Sequence, residues 1–383
     1  MQIPTAMSTN PIPVVVTPPS TVATEPAAGP AVSWPKRLIA LLPLGGIAWL
    51  TMVLADHPAV SRYGLSALTL AMCAGMVAAN TMPRHWLAPL GPGMQLARHH
   101  LLRLGVALYG LRLTFGAIAA LGAAGIVVPL TMLVTTLLLG TWVGTKFFGL
   151  SRSEAILVSA GSAVCGAAAA IAVSSVVRTD DRQTAVAVAT VVLFGTVGML
   201  LYPWLYELAT QHWHLAITER AFGIFTGATL HEVAQVIASG KMVSDATADA
   251  AVVAKMVRVL ALGPLLLIMA LWPQGKRAEG QANATANARA GARDWRALLR
   301  AVPWFALGFV AVMALNSASL VPQDWKAPLI ALDNWMLACA MLAIGLHTRI
   351  GDLLRAGRKP LGLAAVLFLF LMVGGALVCY AAI

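Results

Sequence analysis

FGIFTGATLHEVAQVIASG, residues Phe222–Gly240, sets an imidazole and a carboxylate, His231 and Glu232, into a run of otherwise apolar and small residues. On a helix, Gln235 falls four residues after His231 and three after Glu232, so the three polar groups share one face. Gly223, Gly227, Ala228 and Thr229 precede them, a small-residue tract that lets backbones approach closely or lets the helix open. A charged acid at bilayer depth costs roughly 2.5–3.5 kcal/mol, so Glu232 is expected to face a protein interior or a wet cavity rather than lipid. The stretch therefore reads as one face of a transport site inside a membrane.

The rest of the chain agrees with that setting. Of its 383 residues 59% are hydrophobic and only 11% charged, with a mean hydropathy of +0.80. This predicts an all-α polytopic membrane protein. The net charge of +11 is carried mainly by short connections between apolar runs, which is a topology signal and not a nucleic-acid footprint. Cys73, Cys165, Cys339 and Cys379 all lie in apolar segments without ligand spacing. No disulfide, metal site or cofactor is expected.

Residues 1–33, rich in Pro, Ala, Thr and Val and without Lys or Arg, read as a disordered tail. They lack the basic and long apolar regions of a secretory signal. Residues 34–272 hold eight apolar segments: Leu38–Ala55, Leu65–Met82, Leu101–Leu121, Gly125–Thr145, Ala155–Val177, Thr184–Tyr206, the opening stretch, and Ala250–Trp272. A polar, basic linker occupies residues 273–300, and residues 301–383 add Ala301–Leu320, Leu329–Leu346 and Leu361–Ile383. The expectation is about eleven transmembrane helices. With the N-terminus cytoplasmic, the inner connections carry 17 Lys and Arg and the outer ones 5, as the positive-inside rule requires.

Two tracts suggest internal symmetry. GLRLTFGAIAALG (Gly110–Gly122) and GLHTRIGDLLRAG (Gly345–Gly357) share their glycines at an offset of 235 residues and run in opposite senses, as inverted repeats do; the abundance of Gly and Leu offers chance as the competing explanation. The two small-residue segments, the fifth and seventh, run in the same sense under a count of eleven. Paired broken helices of an inverted repeat would not.

The ionisable groups inside apolar segments are Arg103, Arg112, Lys255 and Arg258 against Glu232 and Asp333, a surplus of positive charge that suits an anion. Gly161, Ser162, Cys165 and Gly166 form a tract where a helix either packs closely or breaks; broken, its free N–H groups and dipole suit an oxyanion. The competing reading is structural: Arg103 snorkels to the interface, Glu232 pairs with Lys255 or Arg258, and His231 is a packing partner and not a proton carrier. Cys165 reads as a small filler, no base being adjacent to it. Neither a nucleotide-binding GxxxxGK[ST] nor an HExxH or GxSxG motif is present, so neither ATP drive nor enzymic activity is expected.

GSAVCGAAAAIAVSSVVR (Gly161–Arg178), GATLHEVAQVIASG (Gly227–Gly240), AKMVRVLALGP (Ala254–Pro264) and LAIGLHTRIGDLLRAG (Leu342–Gly357) together resemble the YeiH-type family of bacterial inner-membrane proteins, which carries the label of sulfate exporter. The resemblance runs from about Leu38 to the C-terminus. It implies an inverted-repeat transporter fold of the cation/proton antiporter and bile-acid symporter type, in the bacterial inner membrane, with sulfate or a related sulfur oxyanion or sulfonate as cargo. Ala167 and Ala168 depart from it, standing where members often carry a polar residue. The label assigns no ligand residues. From the residues themselves, Lys255, Arg258 and Gln235 with Gly161, Ser162, Cys165 and Gly166 are expected to contact the anion, and His231 and Glu232 to couple its movement to an ion. A cation/proton exchanger using Glu232 and Asp333, or a non-transporting membrane sensor, are the alternatives. The partners expected are a small anion and membrane lipid; homo-oligomerisation is left open.

Overall fold

The computed structural model describes residues 33–61, 65–177, 179, 181–271, 304–349, 351 and 357–382. The N-terminal tail and the 273–300 linker therefore lie outside the described residues. Among those described, every regular element is helical.

The long elements are Trp34–Asp56 (α1), Ala67–Thr81 (α2), Leu102–Leu108 (α3), Ala124–Lys146 (α4), Arg152–Ala163 (α5), Ala167–Val177 (α6), Asp181–Glu207 (α7), Glu219–Thr229 (α8), Val233–Lys241 (α9), Asp245–Leu260 (α10), Leu262–Leu271 (α11), Trp304–Ser317 (α12), Gln323–His347 (α13) and Arg358–Ala382 (α14). Ser66, Ser151, Thr218 and Ser244 start α2, α5, α8 and α10 by accepting the N–H three residues on, which satisfies one orphan donor at each start. Six helical stretches of 23 to 31 residues are long and apolar enough to cross a membrane. The third apolar segment is the least regular. A π-turn at Ala97–Leu101 feeds α3, and a 3-10 turn at Tyr109–Arg112 ends it.

The fifth and seventh apolar segments do not run straight. Val164 leaves helical geometry (φ −113°, ψ −94°) and Gly166 follows with φ +76°, a conformation in which a side chain is strained. The chain folds back there: a methyl group on Gly161 would stand 3.7 Å from Cβ of Ala170, nine residues later, a separation that would span about 13 Å in one straight helix. At its entry α5 packs Ala155 on Gly144 near the end of α4, and the returning α6 packs on α11. In the seventh segment, Leu230 and Glu232 are extended (ψ 157° and 148°). Its two ends meet the same end of α10, because Ser244 Oγ donates to Glu219 Oε2 at 2.6 Å while Gly240 lies against Ala248. Each segment is thus a helical hairpin, α5–α6 and α8–α9.

The hairpins enter from opposite ends. The tip of α8–α9 is level with Lys255 in the middle of α10, and its base lies at the start of α10. The α5–α6 hairpin has its base at the other end, where α6 meets α11. Each segment turns back on itself instead of running straight, so the sense in which two straight broken spans would run does not apply to them. The Gly110–Gly122 and Gly345–Gly357 tracts do not share a conformation: Gly110 lies in a 3-10 turn and Gly345 in α13, and part of the second tract is outside the described residues. The symmetry lies instead between hairpins, whose tips are related by an offset of 66 residues, Ser162 with Ala228 and Val164 with Leu230.

Helices α4 to α11 and α14 pack around the hairpins, and α1, α2, α3, α12 and α13 form a second group. The groups touch where α9 meets α2, α3 and α13 and where α10 meets α12. There Tyr109 donates its hydroxyl to Asp249 Oδ1 at 2.9 Å.

Candidate functional site

Each hairpin tip exposes two kinds of backbone. The ends of α5 and α8 leave carbonyls unpaired, and the starts of α6 and α9 leave N–H groups unpaired. The sequence answers the carbonyls with two cations one turn apart on α10. Lys255 Nζ donates to Val164 O at 2.6 Å and Leu230 O at 2.7 Å. Arg258 donates Nε to Ala163 O at 2.7 Å, one terminal nitrogen to Ser162 O at 2.7 Å, and the other to Ala228 O at 2.5 Å and Leu230 O at 3.2 Å. Pairs of acceptors 66 residues apart thus share one cation. Both side chains are completely buried, where an unpaired charge would cost several kcal/mol. Two helix C-termini, each equivalent to about half a negative charge, supply the counter-charge.

The N–H ends meet on the other side of the tips. Glu232 is the N-cap of α9, and its own N–H donates to Gln235 Oε1 at 3.3 Å, half of a capping box. Its carboxylate also lies by the N–H of Ala167, the first residue of α6, with Oε1 3.3 Å from where a Cβ on Gly166 would stand, so one carboxylate stands at the starts of both returning helices. Gly166 makes room for it: a Cβ there would lie 2.7 Å from Glu232 Cγ. Glu232 retains partial exposure, unlike Lys255, Arg258, His231 and Gln235 around it.

One buried polar atom beside this carboxylate, Gln235 Nε2, has no hydrogen-bond partner, and His231 Nδ1 in the same hairpin has none either. Such groups carry a desolvation cost of about 1–3 kcal/mol each, so their persistence marks a place where something polar is to be met. Arg98 in the π-turn is near enough for its charge to act on Glu232.

All nine residues nominated from the sequence are brought together here. Gly161, Ser162, Cys165 and Gly166 form or adjoin one tip, His231, Glu232 and Gln235 the other, and Lys255 and Arg258 lie between. Three details differ from the sequence reading. His231 and Glu232 do not share a helical face with Gln235, because α9 begins only at Val233. Among the described residues no ion pair joins Glu232 to Lys255 or Arg258, whose hydrogen bonds go to carbonyls. Asp333 is elsewhere, 3.2 Å from Arg112 in the second group of helices. Sequence reasoning missed Arg98, which it counted with a loop, and Gly195 of α7, where a Cβ would collide with Gln235 Oε1.

Residues 39–364 match the family model described as conserved hypothetical protein 698. The chain is 49% identical over 355 residues to the UPF0324 membrane protein RSc1111 of Ralstonia nicotianae, covering 91% of this chain and 95% of that one. It belongs to the YeiH (UPF0324) family. The UPF0324 inner membrane protein YeiH of Escherichia coli K12 is 43% identical over 323 residues, covering 84% of this chain and 88% of its own. A UPF0324 membrane protein of Yersinia pestis is 43% identical over 332 residues, 86% and 89% of the two chains. No solved structure matches. Relatives named as inner membrane proteins, together with six helices able to cross a bilayer, make this UPF0324 chain a multi-pass protein of the inner membrane.

Proposed function

We propose that this protein is a secondary transporter that exports a small sulfur oxyanion such as sulfate, or a sulfonate, across the inner membrane. One observation carries the reading. Two hairpins entering from opposite ends place two helix N-termini, with the open donors around them, beside a partly exposed carboxylate at the middle of the molecule. Half-helix N-termini at mid-membrane suit anionic cargo. Lys255 and Arg258 serve the site by holding the tips together, and Gln235, His231 and the starts of α6 and α9 face the cargo. The role is transport; no catalytic step is assigned.

The same geometry supports a topology of nine crossings and two re-entrant hairpins, with the N-terminus inside. Arg178 and Arg182 then move to the inner side and Arg220 to the outer, turning 17 against 5 into 18 against 4. The proximity of Arg220 to Gly122, which precedes α4, supports an outer position for both.

The test is uptake of radiolabelled sulfate into proteoliposomes of the purified protein, with sulfite and taurine as competitors, with and without a pH gradient. Saturable flux accelerated by the gradient is expected. Absence of flux under either condition removes the oxyanion reading. The cation/proton alternative draws on the exposure of Glu232 and predicts sodium-driven proton movement in the same vesicles, with sulfate without effect.

A further inference from the structure

Glu232 already occupies the place that an anionic cargo would need. Its carboxylate lies beside Gly166 and the N–H of Ala167 at the start of α6 and stands at the N-cap of α9. Both helices exceed eight residues. The unpartnered Gln235 Nε2, on a side chain 0% exposed, adjoins the same point. This is a cradle of donors with a tethered anion in it.

A second anion cannot share these donors with an ionised carboxylate, because each N–H serves one acceptor well and like charges in contact repel. The charged and titratable groups around Glu232 offer no way around this. Arg98 acts on it from the π-turn, Cys165 from the tip of α5–α6 and Lys255 from α10, and His231 precedes it in its own hairpin. Lys255 and Arg258 are tied to carbonyls. At the start of α2 the neutral Ser66 donates to Ala238 O of α9 at 3.3 Å; α7 brings Val191 against Gly166 and Gly195 against Gln235. Only Glu232 is both an occupant of the cradle and partly open to solvent.

We propose that Glu232 is an internal stand-in for the transported anion, and that the anion enters the cradle together with a proton that neutralises Glu232. The proton adds to a carboxylate oxygen, the N–H of Ala167 is released to the incoming oxyanion, and anion and proton are bound as a pair. The inference rests on the transport reading above and adds to it the identity and stoichiometry of the coupling step.

The experiment is calorimetric titration of the full-length purified protein with sulfate, which keeps its charge across the range near neutrality, so that any proton taken up goes to the protein. Repeating the titration in buffers of different ionisation heat counts protons. About one proton taken up per sulfate is expected at mildly alkaline pH, with affinity falling about tenfold per pH unit there. Glu232→Gln is expected to bind sulfate with neither proton uptake nor pH dependence, while His231→Asn, whatever its affinity, still takes up about one proton per sulfate bound. Binding by the wild-type protein without proton uptake overturns this inference and leaves the transport reading standing, and needs no variant. Uptake that persists in Glu232→Gln and vanishes in His231→Asn overturns it in favour of the imidazole. If the wild-type protein binds no sulfate at any pH, both readings fall.

Discussion

Val164 and Leu230 present their carbonyls to one ammonium group, that of Lys255, at 2.6 and 2.7 Å. Two hairpins from opposite ends are thereby joined at a single atom, and Arg258 repeats the arrangement one turn on with Ser162 and Ala228. The cations act as electrostatic rivets between two negative helix ends.

A ranking of stabilities follows. In Lys255→Met, Val164 O loses its donor, while Leu230 O keeps Arg258, so a cost of about 2 kcal/mol is expected. Arg258→Leu strands Ser162 O, Ala163 O and Ala228 O and costs more, about 4 kcal/mol. Thermal melting in detergent measures both. Were the two side chains anion contacts instead, each replacement would weaken sulfate binding and leave melting of the unliganded protein unchanged.

Gly166→Ala tests how closely the tips must meet. Its φ of +76° strains any side chain, at about 1–2 kcal/mol, and the new methyl group would push on Glu232 Cγ. Sulfate affinity is expected to change at least tenfold, with the protein still assembled in the membrane. Gly263→Ala, where a methyl group meets nothing within 4 Å, is the control and leaves affinity unchanged.

The residues of the site were legible because a charge in an apolar segment must face protein, and the chain holds few: Glu232, Lys255 and Arg258 could hardly lie apart. What those cations bind was not legible, since a backbone carbonyl and a substrate oxygen are equally good acceptors and only the first is invisible in a sequence. Nor does apolar length distinguish a crossing from a hairpin. Arg152–Val177 and Glu219–Lys241 are as long as the helices able to cross a membrane, and the second turns without any glycine at Leu230–Glu232. Its signal was the Glu232 and Gln235 spacing of a capping box, a helix start placed inside a hydrophobic run. Arg98 gave no signal, because the π-turn that carries it looks like a polar loop.

Tyr109→Phe probes the seam between the two groups of helices. The hydroxyl bond to Asp249 Oδ1 ties the 3-10 turn to α10, and loss of a hydrogen bond to a charged group costs about 1.5–3 kcal/mol. Sulfate affinity in equilibrium titration is expected to stay within twofold, since neither residue touches the cradle. The initial rate of uptake is expected to change if the proposed transport shifts the two groups against each other across this bond. An altered affinity with an unaltered rate would place the bond in the site instead of the seam.

The re-entrant topology is tested by two cysteines in a background lacking Cys73, Cys165, Cys339 and Cys379. Arg182 opens α7 and Arg220 opens α8, and both are exposed. Eleven straight crossings with the N-terminus inside put Arg182 outside and Arg220 inside. Two hairpins reverse both assignments, because α5–α6 returns to the side it came from before α7 begins, and α7 then delivers the chain to the outer side for α8. A membrane-impermeant maleimide added to intact cells is therefore expected to label Arg220→Cys and to spare Arg182→Cys until the membrane is broken. The opposite pattern would mean either that α5–α6 crosses or that the two hairpins stand with the N-terminus outside, and in either case it overturns the topology proposed above.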